Sequence, residues 1–514
     1  MPGPPTAPAE SFLHHQVSWP DFNAIARCDG GAAGMHQLRQ VERSRRLLLI
    51  RALVDEVSAS PEIVAPLPNL AAAWDLLSTV QKADTGALES VLDHPYTGAW
   101  AAYSSRLLAR RTNGIWPLWT HLGYMHTLAA AAAIRAGIDF RIDVPVQTGG
   151  VVLPTLGLVV LRADDSVADI SGEAGVVEVR SAANHVRLPP DLSVDSPVWQ
   201  PIRQLKAGPR PVRLDDVDPY RGAYQPLPPE PTPRAEVVAW QRLLAEAWAL
   251  IARRTPDFAD ALSVGFESIV PLRPALFRPH SSTHSEAFGS AVLSRPRDAE
   301  TLAAMIIHEF QHSRLSALEH LVPLAQPDPA ERFYAPWRDD PRPVGGLLQG
   351  MYAHFGMTLY WRALANPDNR NGEFEYAYHR LVTWQVVDLL RQEATLTGVG
   401  RRFVDAIADV LGVADVDESC CLATSVHGSI TRSVRSRLMN SRASCRLEYE
   451  LPPLITVSRP SGSSWSTYRL LHFSRLGSHE PSTSWFSRIP NTLPGTPWKI
   501  AISPLYLSVP SPTK

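Results

Sequence analysis

At Gly137 the texture of the sequence changes, and that change limits the folds open to the chain. Before it, from about Phe22, stretches such as LRQVERSRRLLLIRALVDEV and GALESVLDHPYTGAWAAYSSRLLARR set apolar residues three or four apart, with charge on the other side. That is the period of an amphipathic helix. The last stretch of this kind, PLWTHLGYMHTLAAAAAIRAG, is Ala-rich and stops at Gly137, a residue suited to ending a helix. After it, DFRIDVPVQTGGVVLPTLGLVVLRADD, GVVEVRSAANHVRLP and PVWQPIRQLKAG are short Val, Leu and Ile runs punctuated by Gly, Pro, Asn and Asp. Such punctuation predicts strands and turns from 138 to about 210.

LDDVDPYRGAYQPLPPEPTPRAE then reads as a proline-rich connector. Helical period returns at AEVVAWQRLLAEAWALIARRTPDFADAL, and SIVPLRPA and EAFGSAVLSRP read as strands around the loop FRPHSSTHS. The expected fold is α+β, mainly α. It has a helical N-terminal region (1–137), a β-rich module with its connector (138–234) and a helical metal-binding domain (235–416). From 417 to 514 the chain is rich in Ser, Arg and Pro and has no sustained period. It reads equally as a disordered tail or a shifted reading frame, and no function is assigned to it.

At 514 residues the chain is past the size at which one core stops growing, so two or more domains are expected. Lys and Arg total 49 against 51 Asp and Glu, which gives no electrostatic case for nucleic acid or an anionic membrane. The opening MPGPPTAPAESFLHHQ has neither a basic nor an apolar targeting segment, and no apolar run approaches a membrane span. Four cysteines make no disulfide framework. The expectation is a cytoplasmic protein.

The chemistry lies in AAMIIHEFQHSRLSALEHL, where His308 and His312 stand one helical turn apart with Glu309 between them. On a helix both imidazoles stack on one face and can share an ion. The apolar entry LAAMII keeps the rings in a setting that favours the neutral, metal-binding form. The competing reading is a pair of packed core histidines.

A third ligand is needed. Glu319 is two turns beyond His312, too far to reach the same ion. Glu331 sits in PDPAERFYAPW without a helical setting. His354 is preferred: Gly346, Gly350 and His354 recur every four residues, so the glycines should let this helix approach its neighbour and deliver an imidazole.

Two or three imidazoles with open positions suit zinc(II) or iron(II). With zinc, Glu309 would take a proton from bound water and an amide would be cleaved. With iron, 2-oxoglutarate and O2 would fill the open positions and Glu309 would orient a ligand. Ser282, Thr283 and His284 precede a strand that could line a peptide groove, though such a cluster is more often only a loop. His121 and His126 read as packed core, and Tyr334 and Trp337 as structural aromatics.

IIHEFQHSRLSALEHLVPL, YAPWRDDPRPVGGLLQGMYAHFG and EAFGSAVLSRP resemble the HEXXH-motif peptide-modification family, encoded beside ribosomally made, modified peptides. The likeness is strongest over 280–365 and looser over 235–416; LDDVDPYR shares the family's look. It implies a 2-oxoglutarate-dependent peptide β-hydroxylase rather than a protease, with a precursor peptide as substrate and, in some members, a radical SAM maturase as partner. It supports His308, His312 and His354 as ligands. It also directs attention to Arg338 and Arg342 in WRDDPRP as guanidinium partners for the distal carboxylate of 2-oxoglutarate. A surface ion pair with Asp339 or Asp340 is the plainer reading of those arginines. A zinc peptidase and a non-catalytic peptide-binding scaffold are the other functions open to the chain.

Overall fold

The computed structural model describes residues 13–161, 165–222, 225–274, 279–326, 332–338, 340–412 and 500–502. Helices and small sheets make it α+β and mainly α, as the periodicity predicts. Glu331, Asp339 and nearly all of the 417–514 tail lie outside the described residues; Ile500–Ile502 pairs antiparallel with Leu13–His15.

By compactness the chain forms two units, the first being Met1–Leu321 with Leu359–Leu364 and Lys499–Lys514. Its N-terminal helices include Gly31–Ser58, Leu70–Ala83, Thr85–Leu92, Pro95–Leu108 and Tyr124–Ala136. Their ends follow local chemistry. Asn69 and Asp84 accept first-turn backbone N–H groups through their side chains, and Gly137, at φ 63°, closes the Ala-rich helix in the left-handed region. One apolar core joins Ile50, Leu77 and Trp100 of these helices to Ile142, Val159 and Trp199 of two antiparallel sheets. Those sheets run in the order Phe140–Pro145, Val167–Glu173, Val176–Arg180, His185–Arg187, and Gly150–Leu153, Gly157–Val160, Trp199–Pro201. They are the β module expected after Gly137.

A third, mixed sheet carries the site. Its order is Ser281–Ser282, Ser290–Ser294, Ser268–Leu272, Val212–Leu214, Arg203–Leu205, with the three inner strands parallel and the two outer ones antiparallel to them. The loop FRPHSSTHS thus contributes a two-residue edge strand. The segment LDDVDPYR, expected as the start of a connector, is built into the fold: Asp215, Asp218, Tyr220 and Arg221 are all buried.

The helix Ala299–Leu321, termed the motif helix, follows the strand Ser290–Ser294 and packs back on it. Asp298 caps it, its carboxylate accepting the Thr301 N–H at 2.8 Å. Ala303, Ile306 and Phe310, but also Gln311, Ser313 and Arg314, are buried, so the helix is enclosed around most of its circumference.

The second unit is Val322–Thr358 and Ala365–Trp498. Within it the helices Arg370–Arg391 and Gly398–Gly412 pack together, and Tyr352 meets Phe403 with ring centroids 5.1 Å apart. Gly400 is a required glycine, because a Cβ there would strike the Leu324 backbone. Among the described residues no helix is long and apolar enough to cross a membrane.

Candidate metal centre

His308 and His312 face each other on the motif helix. Their Nε2 atoms are 3.2 Å apart and their rings meet edge-on, at 78°. Two lone pairs at that distance repel unless a proton or a cation lies between them. With metal–nitrogen bonds of about 2.0–2.1 Å, this spacing subtends roughly 100–105° at a shared ion. That angle lies between tetrahedral and octahedral values, so the pair fits zinc and iron alike.

Glu309 is turned away from solvent, at 2% exposure. The Thr283 hydroxyl lies 2.7 Å from its Oε2 and 3.0 Å from its carbonyl oxygen, so one donor fastens both side chain and backbone. The residues after the edge strand therefore reach the motif helix directly. Elsewhere the Gln311 amide donates to Cys28 Sγ at 2.8 Å, and Ser313 Oγ accepts the Gly289 N–H at 2.9 Å. These bonds fix the helix about its axis and so aim the two imidazoles.

At its far end His320 Nδ1 lies 2.6 Å from Glu42 Oε1, and Arg45 stands between Glu42 and Glu286 and pairs with both. Burial alone would lower His320, but the Glu42 charge wins and its pKa is raised; burial alone would raise Glu42, but the His320 charge and hydrogen bond lower it.

His354 belongs to the second unit. Its Nδ1 is 2.8 Å from His379 Nδ1, and Trp337 stacks on its ring at 4.5 Å. His379 Nε2 in turn lies 3.4 Å from Glu375 Oε2. The glycines before His354 do not serve the role expected of them. A Cβ at Gly350 would collide with the Trp337 indole, and one at Gly346 would press on the Arg342 side chain at 3.2 Å. They make room for side chains of the preceding loop, not for another helix.

Arg338 and Arg342 both pair with Asp340, at 2.7 and 3.2 Å, and all three side chains are exposed or half-exposed. The plainer reading of these arginines holds in the structure. A different arginine lines a small, partly open recess beside Thr283. This pocket is formed by Tyr103, Arg106, Tyr220, Gln225 and His284, among others. Arg106 is partly buried, and burial lowers its pKa; among the described residues it forms no ion pair.

His121 and His126 are core residues as expected, held by Tyr220 and by the Pro68 carbonyl, with burial lowering each to about 4. Sequence reasoning missed His379 with Glu375, Arg106, and a wholly buried group of His94, Asp215 and Asp218. Only Glu375 and His379 carried a local signal, a carboxylate one turn before a histidine.

Compared with family models and with curated proteins, the chain matches none of them.

Proposed function

We propose that this chain is an iron(II)/2-oxoglutarate-dependent hydroxylase that acts on a side-chain β-carbon of a ribosomally made precursor peptide in the cytoplasm. In this reading His308 and His312 hold the metal, and His354 is the third ligand that the sequence resemblance implies. The observation that carries the reading is the facing pair of Nε2 atoms, 3.2 Å apart on a helix fixed about its axis.

Bound iron supplies the redox chemistry by which 2-oxoglutarate, O2 and a C–H bond become succinate, CO2 and a C–OH group. The chain's residues hold and orient. Thr283 ties Glu309 and so fixes where that carboxylate sits on the motif helix.

Nε2 is the atom through which His354 would hold a metal, because Nδ1 is engaged by His379. Glu375 favours a proton on His379 Nε2, so His379 Nδ1 accepts. His354 Nδ1 must then donate, and neutral His354 keeps its lone pair on Nε2. Arg106 binds the distal carboxylate of 2-oxoglutarate: it is a partly desolvated cation with no ion pair among the described residues, whereas Arg338 and Arg342 would first have to give up Asp340.

The test is anaerobic iron reconstitution of the full chain, followed by incubation with O2, 2-oxoglutarate and candidate ribosomally made precursor peptides. Succinate formation with a mass gain of one oxygen on the peptide is the expected result, lost in His308→Ala and His312→Ala. Peptide cleavage without 2-oxoglutarate would replace this reading with a zinc peptidase that uses Glu309 as base. A chain that binds the peptide but takes up no iron or zinc at this pair would be a scaffold.

A further inference from the structure

A second set of ligand-type side chains lies in the first unit, away from the motif helix in sequence. His94 stands just before the helix Pro95–Leu108, and Asp215 and Asp218 follow the strand Val212–Leu214. All three side chains have no exposed surface. His94 Nε2 is 3.2 Å from Asp218 Oδ2 and 3.9 Å from Asp215 Oδ2, and one ligand atom from each residue lies within 4.8 Å of the other two.

Each carboxylate is built the same way. Asp215 Oδ1 accepts the N–H groups of Val217 and Asp218, at 3.3 and 2.9 Å, and Asp218 Oδ1 accepts the Tyr220 N–H at 2.8 Å. One oxygen of each is thus fixed by backbone, and the other is turned toward the same imidazole. Tyr124 O–H donates to Asp218 Oδ2 at 2.7 Å.

Among the described residues Asp215 Oδ2 has no hydrogen-bond partner, although it is fully enclosed. A buried carboxylate oxygen left so is costly. A proton on it would find no acceptor in His94, whose Nε2 is 3.9 Å away, beyond hydrogen-bond reach. Two ligands on one ion, each about 2.0–2.2 Å from it, can stand up to about 4.4 Å apart, so the separations to His94 suit a shared cation.

The charges agree. Two ionised carboxylates and a neutral imidazole enclosed together are balanced by one divalent ion. We propose that His94, Asp215 and Asp218 form a buried structural site for a divalent transition-metal cation, such as zinc or manganese. The imidazole favours that class over calcium or magnesium, which take oxygen ligands. The site would bind the turn LDDVDPYR to the helix that His94 opens, and it does not depend on the reaction proposed for the motif helix.

The experiment uses the full chain carrying His308→Ala and His312→Ala, which removes the first pair. The protein is produced in medium supplemented with zinc and manganese, and metal per chain is measured by mass spectrometry. About one equivalent should remain in the double variant and be lost when Asp215→Asn is added. A metal-free double variant, or an unchanged content after Asp215→Asn, overturns the site.

Since Asp215→Asn can also fail to fold, the double variant is unfolded, stripped by chelator and refolded with or without zinc or manganese. Recovery of the native circular dichroism signal should require the ion, and equal recovery in metal-free buffer overturns the proposal.

Discussion

His354 Nδ1 and His379 Nδ1 share one hydrogen bond of 2.8 Å, so one of the two rings must carry its proton there. Glu375, 3.4 Å from His379 Nε2, decides which one, because a carboxylate holds the His379 proton on that far nitrogen. The chain Glu375–His379–His354 thus presets the tautomer a metal ligand needs. His379→Ala and Glu375→Gln should weaken iron binding by about 10–100-fold, the usual cost of losing an outer partner of a ligating histidine. Calorimetric iron titration against unchanged circular dichroism would check this. Undiminished affinity in both variants would remove His354 from the ligand set.

Trp337 covers the His354 ring, and it fits only because Gly350 has no side chain. Gly350→Ala puts a methyl where the indole lies and has to displace it. The added carbon favours the helix by about 1 kcal/mol in propensity, so a loss of function cannot come from helix weakening. The expected outcome is a melting temperature little changed or lowered, with a drop in turnover and Trp fluorescence shifted to the red. Wild-type emission and turnover would show that the indole does not position the histidine.

How much could be read from the chain follows from how local each feature is. The switch from helix to sheet at Gly137 is written in adjacent residues, as is the spacing of His308 and His312, and both stand in the structure as expected. The cap at Asp298 is equally local. By contrast, His94 and Asp218 are 124 residues apart, and nothing near either announces the other. The glycines before His354 had a correct period but a wrong partner: sequence spacing identifies the crowded face of a helix, not what crowds it. Arg338 and Arg342 show the same limit, since adjacent aspartates already offered them the ion pairs they make.

Arg106 and the Arg338–Arg342 pair make opposite predictions for cosubstrate binding. Arg106→Gln should raise the KM for 2-oxoglutarate at least tenfold with a smaller change in kcat, since a guanidinium–carboxylate hydrogen bond to a charged group contributes about 1.5–3 kcal/mol. Arg338→Gln with Arg342→Gln should leave that KM within about twofold, because both side chains are spent on Asp340 at the surface. Steady-state succinate formation at varied 2-oxoglutarate measures both. The reverse ranking would return the cosubstrate site to the WRDDPRP loop.

The His320–Glu42 pair, two turns beyond His312 on the motif helix, makes stability depend on pH in a definite direction. His320 has its pKa raised above the ordinary 6.5, so its stabilisation is complete below about pH 6.5 and is lost as pH rises through the folded-state value. Glu42 is lowered below the ordinary 4.5, so its part is complete above that pH and fades only as pH falls through its folded-state value. Both contributions are therefore present together between about pH 4.5 and 6.5. Melting temperature should fall as pH is raised from 6.5 toward 9, and His320→Gln should flatten that fall. Because Glu42 is 1% exposed, His320→Gln should also leave its carboxylate with poorer compensation, with Arg45 and Arg46 nearby, and cost about 3–5 kcal/mol near pH 6. Thermal melts across this range test both effects. A pH slope identical in wild type and variant would mean that the pair does not fasten the motif helix to the helix Gly31–Ser58.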